Sequence, residues 1–572
     1  MDYNLKTIIM KKTLLFILLC LGSILTAQNN ASDFDWAFNT GGGYNTTKRI
    51  QYNSQGDLLC MVNIGNKTTF GSTSMQGQGF SVFPGNVTFI GKRTQAGVKT
   101  VLVKALSSNS YVANFDDFAL DSNDNIIVSG TVFNAATPYN FGNGVTLLGK
   151  GYFVAKYNSN GECQWAKLFT LNVATISSTN VPIALGVLPN NDIYFAARSS
   201  NGNQPFWLLR LDSNGTEIWH KEWILPSSNY IKITTSKNNC FFDNTGKAYF
   251  YISNLNSEVI TVDGVPLTIP AGTHPAAAHI LAIDGNGANG TFSSHRGGIG
   301  DLAVEKATGN VLVKWSQYNA NPAPFNTVNH TNNVYQGIVA LDANRNYLNS
   351  TTNPVLDQAD IDAIFPLGNL KFVGMKLMMP GNSITAGTQT FTATKYTPAW
   401  KFFDSFVMSK FVAHPELNEY STAVYPFIAA YNNKLAVSGS YSLTNNATVN
   451  VNGTTLTSCE NDLTFATTYP AFASLAGDLF ISQLTNGTSL GIDKNDITES
   501  ISVFPNPANS NFNIQIDENL IGAKAIVYNL RGQKIKAFIL NSTLTNQTLT
   551  KGLYLIQIEK KGTITTKKLI VN

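Results

Sequence analysis

The segment FALDSNDNIIVSG (118–130), followed by FVAKYNSNGECQWAKL (153–168), decides how the chain is built. Each is an apolar run, a turn rich in Asn, Asp, Ser and Gly, and a second apolar run, the short-range signature of a β-hairpin. The first pattern returns as IQYNSQGDLLCMV (50–62), ALGVLPNNDIYFAA (184–197), CFFDNTGKAYFYIS (240–253), LAVEKATGNVLVKW (302–315), AIFPLGNLKFVGM (363–375) and FIAAYNNKLAVSGS (427–440). The second returns almost position for position as WLLRLDSNGTEIW (207–219), and more loosely at 101–115, 280–292, 337–348 and 406–420. A seventh copy, DLFISQL (478–484), stops after one strand. Units of roughly 45–65 residues with four strands each point to a β-propeller of seven blades, in which sheets bury one another and leave only short edges.

The truncated seventh unit needs a fourth strand. Asp35-Trp36-Ala37-Phe38 has the same Trp-Ala start as Trp165-Ala166 and no hairpin of its own. The expectation is that the strand near Trp36 completes the seventh blade and closes the ring. Longer inserts, at 68–79, 140–150, 260–270 and 449–458, fall between the two hairpins of a unit and read as connecting flaps. Such loops are the default place for a binding surface.

Composition agrees with an all-β chain. Hydrophobic residues make up 43% and charged residues 13% of 572, too apolar and too weakly charged for disorder. The 39 Lys/Arg and 35 Asp/Glu divide unevenly: nine and five lie after residue 494, three and one before residue 28, which leaves 27 and 29 for the body. A near-neutral body lacks the electrostatic footprint of a nucleic-acid binder.

Lys11-Lys12, the apolar run 14–25 and Thr26-Ala27-Gln28 read as a signal peptide over 1–27, cleaved between Ala27 and Gln28. No other apolar run is long enough to cross a bilayer as a helix, so no transmembrane segment is expected in the mature chain. Cys60, Cys163, Cys240 and Cys459 lie far apart without metal or redox spacing. They read as buried thiols, with a disulfide or two open because the compartment permits them.

From residue 497 the texture changes to short alternating strands with Gly-containing turns, which argues a small Ig-like β-sandwich over 499–572 behind a polar linker at 485–498 and a propeller body over 28–484. The hairpin pattern of the body resembles the SBBP-type repeats of secreted bacterial proteins, a likeness that implies a fold and no activity. The end of the chain resembles the C-terminal sorting domain of proteins exported by the type IX secretion system of Bacteroidota. The matching residues are Phe504-Pro505-Asn506-Pro507, Tyr528-Asn529 with Gly532, Gly552 with Tyr554, and Lys567-Lys568. That resemblance implies a secreted or outer-surface location and the secretion machinery as a partner.

Catalytic patterns are sparse. HExxH and GxxxxGK[ST] are absent, and the six histidines (220, 274, 279, 295, 330 and 414) are scattered. Asp121-Ser-Asn-Asp-Asn125 resembles a calcium loop but lacks its sixth-position Gly and twelfth-position acid, and reads as an Asx turn. No cofactor or metal is called for. Asp117, Asp301 and Asp362 recur near blade starts, where they would ring the channel and, paired, would serve acid/base chemistry on a glycoside. Trp207, Trp219 and Trp223 would suit sugar stacking, but Trp219 aligns with Trp165, which argues shared packing. The expectation is an exported binding or adhesion module for a glycan or surface protein. A polysaccharide hydrolase or lyase, and a structural surface-layer or motility component, are the rivals.

Overall fold

The computed structural model describes residues 34–484 and 501–572, apart from connecting stretches of which the longest are 77–86, 171–180, 318–334, 351–360, 414–426 and 458–476. The leader, the linker at 485–498, Cys459 and Gly532 lie outside the described residues. The described residues are strand and turn with no α-helix. Two compact units emerge, Met1–Thr488 and Ser489–Asn572.

The first unit contains seven antiparallel meanders of four strands, the third of them widened to six by an inserted hairpin. The first sheet is Thr46–Tyr52, Leu58–Ile64, Val87–Arg93 and Lys99–Ala105. The second to sixth occupy 113–169, 181–224, 232–296, 298–350 and 363–413. The seventh takes Phe427–Tyr431, Lys434–Ser442 and Gly477–Leu484 from one end of the unit and Phe34–Phe38 from the other. Phe34–Phe38 runs antiparallel to Gly477–Leu484, with Trp36 opposite Gln483 and Phe38 opposite Ile481.

Each sheet packs its faces on its neighbours in chain order, and this explains the sequence texture. Middle strands such as Ile126–Val132 are buried at every position. They therefore read as continuous apolar runs rather than alternation. One core joins sheets one and two through Met61, Ile90, Phe115 and Phe153. Others join two to three through Tyr152 and Trp207, three to four through Phe206 and Phe250, four to five through Tyr249 and Val313, and five to six through Leu312 and Phe372. Trp400 of sheet six meets Phe34 and Phe480 of sheet seven edge-on at 6.2 and 6.4 Å. Sheet seven in turn packs on sheet one through Leu479, Ile481, Ile50 and Cys60. Each fully buried large side chain contributes about 1.5–3 kcal/mol.

The hairpin turns share one backbone geometry. The first turn residue accepts from the amide three residues on and donates to the carbonyl four residues on, as at Asn53, Asp121, Asn158, Asp212, Asp243 and Asp342. The fourth position has positive φ: Gly56, Asp124, Gly161, Gly215, Gly246 and Arg345. This is a type I turn closed by a bulge. At Gly215 (φ 75°) a Cβ would also lie 2.7 Å from the Trp165 ring. Trp219 covers Gly287 of the next sheet in the same way, at 2.8 Å from an added Cβ. The repeated Trp thus seals one sheet onto the outer turn of the next.

Five inserted hairpins occur among the described residues between the second and third strands of a sheet. They are Lys67–Phe70 with Thr73–Gln76, Tyr139–Gly142 with Val145–Leu147, Val259–Val262 with Val265–Thr268, Ser383–Ala386 with Gln389–Thr392, and Thr448–Val451 with Thr454–Thr457. Val259–Val262 continues the preceding sheet by pairing with Trp223 and Ile224.

The second unit has two halves around one core of Ile501, Phe512, Val527, Tyr554, Ile556 and Leu569. In one, Lys534–Leu540, Ala523–Asn529, Gly552–Lys560 and Thr563–Val571 lie side by side. In the other, Ile501–Asn509, Asn511–Ile516 and Leu544–Thr548 do. A parallel bridge between Ala508 and Val571 joins them.

Candidate functional site

The first strands of the sheets converge, and a recurring device sets what they present there. Register shifts fall between Thr47 and Arg49, Phe115 and Asp117, Pro182 and Ala184, and Ile299 and Asp301. Each precedes the residue four positions before the turn. A bulge re-aims that side chain. In sheet four the same count back from Asp243 falls on Asn239.

Asp117 and Asp301 are both placed here, but as parts of a structural network. Arg49 grips Asp117 with Nε to Oδ1 at 2.9 Å and Nη2 to Oδ2 at 3.1 Å. The Asn239 side-chain amide and the Phe118 backbone amide also donate to Asp117. Asn238, beside it, donates Nδ2 to the Ile364 carbonyl at 3.3 Å and accepts from the Ile428 amide at 3.0 Å. Cys240 accepts from the Val304 amide through its carbonyl at 2.7 Å. The segment 238–240 of sheet four therefore bonds to sheets two, five, six and seven. Asp301, fully buried, accepts from the Ile364 amide at 2.8 Å. Asp362 stands apart: it precedes its strand, lies 3.6 Å from Lys376 and 3.9 Å from Lys314, and accepts from the Leu377 amide. Arg49, Asn238 and Asn239 escaped sequence inspection. The signal available was their place relative to the turn.

The calcium-like turn is self-contained. Asp121 Oδ1 accepts from the amides of Asn123 and Asn125, and Oδ2 meets Lys156 Nζ and Asn125 Nδ2, all at 2.9 Å. Among the described residues no three His, Cys, Asp or Glu side chains are grouped to hold a metal ion. No helix among them is long and apolar enough to cross a membrane. Cys60, Cys163 and Cys240 are buried free thiols, and burial pushes Cys60 up to about 12 and the other two up to about 11.

These turns set an acid limit on stability. Burial raises the Asp121 carboxyl, but bonds from Asn125, Lys156 and Asn123 outweigh it and hold the pKa low. Asp212 is held low chiefly by the Thr216 amide, and Asp342 by Asn346 and Asn344 against its burial. A depressed carboxyl stabilises the fold above its unfolded value, about 3.9, and loses that contribution as pH falls through the folded value. Asp116, raised by burial despite Lys48, works in the opposite sense. The melting temperature is therefore expected to stay level from neutrality to about pH 4 and to fall below it. A level profile down to pH 2.5 would remove the turns from the account.

Among the described residues, two concavities lie where the hairpin turns of neighbouring sheets meet. A cleft of ≈ 220 Å³ between sheets one and two is lined by Asn53, Gln55, Lys92, Asn123, Asp124, Ser159 and Asn160. A second, of ≈ 100 Å³, lies between sheets seven and one, against Trp36, Tyr52, Arg93, Gln95, Lys434 and Gln483. Turn-to-turn bonds frame them: Asp124 accepts from the Ser54 amide at 2.8 Å and its hydroxyl at 2.6 Å, and the Tyr431 hydroxyl donates to the Ser54 carbonyl at 2.8 Å. Trp207 and Trp223 are buried, and Trp219 donates to the Gly285 carbonyl at 3.1 Å, so these indoles serve packing.

In the second unit the motif residues knit the last strand to the first. Asn506, between Pro505 and Pro507, donates Nδ2 to the Lys568 carbonyl at 2.7 Å and accepts from the Ile570 amide at 2.9 Å. Lys567 and Lys568 stand opposite Ile556 and Leu555. Asn529 closes its turn by accepting from the Gln533 amide at 3.0 Å, and Tyr528 precedes it on the strand opposite Leu555. The Tyr554 hydroxyl donates to the Thr550 carbonyl at 2.9 Å, over Gly552, whose added Cβ would lie 3.1 Å from that oxygen.

Residues 502–572 match the secretion system C-terminal sorting domain. The chain is therefore a cargo exported to the outer surface or beyond. No curated protein matches it in sequence. Among solved structures it is similar to PorZ, an essential bacterial surface component of the type IX secretion system of Porphyromonas gingivalis, at 10% identity and a TM-score of 0.31, over 92% of this chain and 59% of that one. The chain thus spans less than two thirds of PorZ. It is also similar to a protein of unknown function from Dyadobacter fermentans (8% identity, TM-score 0.34, 78% and 98% covered). A third likeness is to the polysaccharide lyase Uly1 (7% identity, TM-score 0.41, 79% and 100% covered).

Proposed function

We propose that the body is a seven-bladed β-propeller that binds a glycan at the cell surface or in the medium, delivered there through its sorting domain. Seven meanders packed in chain order, the seventh on the first, support the propeller, and the shared seventh sheet supports closure through Trp36. On this reading the Ig-like C-terminal sandwich is the address recognised by the secretion machinery, and the leader at 1–27 directs the first export step.

The observation that carries the binding role is the contrast between the two polar regions. The central carboxylates Asp117 and Asp301 are buried and engaged by Arg49, Asn239 and backbone amides. A general acid or nucleophile must reach its substrate. The accessible clefts instead present amides, hydroxyls and cations, with a single carboxylate, Asp124, that accepts from Ser54, and such groups recognise sugar hydroxyls and acidic substituents. The test is the full secreted chain on a panel of polysaccharides, with retention and new chain ends measured together. Retention without new ends supports the reading. New reducing or unsaturated ends would establish the enzyme, and no retention at all would leave a structural surface role.

A further inference from the structure

Several cations in the first unit sit on a carboxylate. Lys48 sits on Asp116, Arg49 on Asp117, Lys156 on Asp121, Arg210 on Asp192 and Lys371 on Asp404. The outer hairpin of sheet one and its neighbour in sheet seven gather four that do not. Among the described residues Lys92, Arg93, Lys99 and Lys434 make no ion pair. Neutral groups hold three of them. The Arg93 guanidinium lies 3.9 Å from the centre of the Trp36 ring, Lys99 Nζ lies 4.7 Å from that of Phe38, and the two rings stack at 5.8 Å. Lys434 Nζ donates to Gln95 Oε1 at 2.7 Å.

The arrangement is costly, because Arg93 and Lys99 are direct cross-strand partners and like charges placed so are destabilising. Aromatic faces fix cations in position without cancelling their charge. The nearby carboxylates form no ion pair with these cations and accept from neutral groups instead: Asp57 from the Gln95 amide, Asp35 from Gln483, and Asp124 from Ser54. Lys92 lines the larger cleft together with Asp124, while Arg93 and Lys434 line the smaller, so cations free of ion pairs face both sides of the 53–57 turn.

We propose that these two clefts form one subsite for an acidic polysaccharide, taken through its carboxylate or sulfate groups by Lys92, Arg93 and Lys434. The inference rests on the glycan-binding reading above and names its ligand class. A guanidinium fork and two ammonium groups suit planar or tetrahedral oxyanions. Adjacent clefts suit a polymer that repeats its charge. A nucleic acid is disfavoured because the Trp36 face is covered by Arg93, leaving no platform for a base at this site.

The test is affinity electrophoresis and calorimetry of the full chain with polygalacturonate and with dextran sulfate, against neutral dextran and a DNA oligonucleotide. The wild type is expected to bind one or both acidic polymers, with affinity falling as salt rises, and to ignore dextran. K92Q/K434Q is expected to weaken binding about tenfold or more, since each lysine supplies a charge-assisted hydrogen bond. R93K, which keeps the charge and loses the fork, separates geometry from charge and should weaken it less. A melting curve shows whether each variant is folded. Undiminished binding by the folded double variant would place the acidic ligand elsewhere and overturn the subsite while sparing the binding role. Retention of neutral glycans alone, or equal binding of DNA, would likewise overturn it. Failure to bind any polysaccharide would overturn both.

Discussion

Asp117→Asn is expected to lower the stability of the first unit by about 3–5 kcal/mol, the usual result of leaving one partner of a buried ion pair uncompensated. Arg49 is only 8% exposed and its guanidinium has Asp117 on two of its nitrogens. The substitution also removes one formal charge from a site where Asn239 and the Phe118 amide converge. Urea denaturation followed by tryptophan fluorescence measures the loss as a lowered midpoint. A second variant sharpens the result: Arg49→Met with Asp117→Leu removes both charges, and should recover much of what the single change costs. If Asp117→Asn left the midpoint untouched while abolishing turnover of a polysaccharide, Asp117 would be a catalytic acid and the binding role would fall.

Phe34→Ala is expected to cost about 3–5 kcal/mol, as large-to-small changes of buried aromatic residues do. Phe34 is fully buried and edge-on to Trp400, so its ring joins sheet six to sheet seven. The loss should be local before it is global. Hydrogen exchange should quicken first in Gly477–Leu484, which pairs with the altered strand, while the fully buried Ile126–Val132 keeps its protection. Unchanged exchange in 477–484 would mean that the N-terminal strand decorates the seventh sheet without holding it.

Much of the all-β architecture was legible because hairpins are local. The turn in 118–130 and its copies carry their own instructions in Asn, Asp and Gly, and the structure has strands on either side of Asp121 and Asn158. The pairing of Trp36 with the seventh unit was legible from a count of strands. What lay beyond reading were contacts between segments far apart in the chain. The stretch 240–253 reads as one hairpin, yet Phe242 forms a single bridge to Ala248 while 238–240 bonds to other sheets. The inserts at 140–150 and 260–270 look alike, yet the latter extends a neighbouring sheet through Trp223. Asp117, Asp301 and Asp362 look equivalent as acids near strand starts. Only the first two follow a bulge, which a sequence shows merely as one extra residue. The unpaired cations of sheet one were invisible for the same reason: lacking a partner is a property of three dimensions.

The seventh sheet also sets a timetable. Its fourth strand, Phe34–Phe38, leaves the ribosome before any other strand described, while the strand it pairs with, Gly477–Leu484, follows about 440 residues later. Contacts of such separation form late, since the chain must close a long loop before they are rewarded. The six other sheets draw only on neighbouring hairpins, but this one must wait. Its completion therefore coincides with the arrival of the sorting domain, which begins within a few tens of residues of Leu484. A chain cut short anywhere before that point lacks both the last seam of its body and the sorting domain.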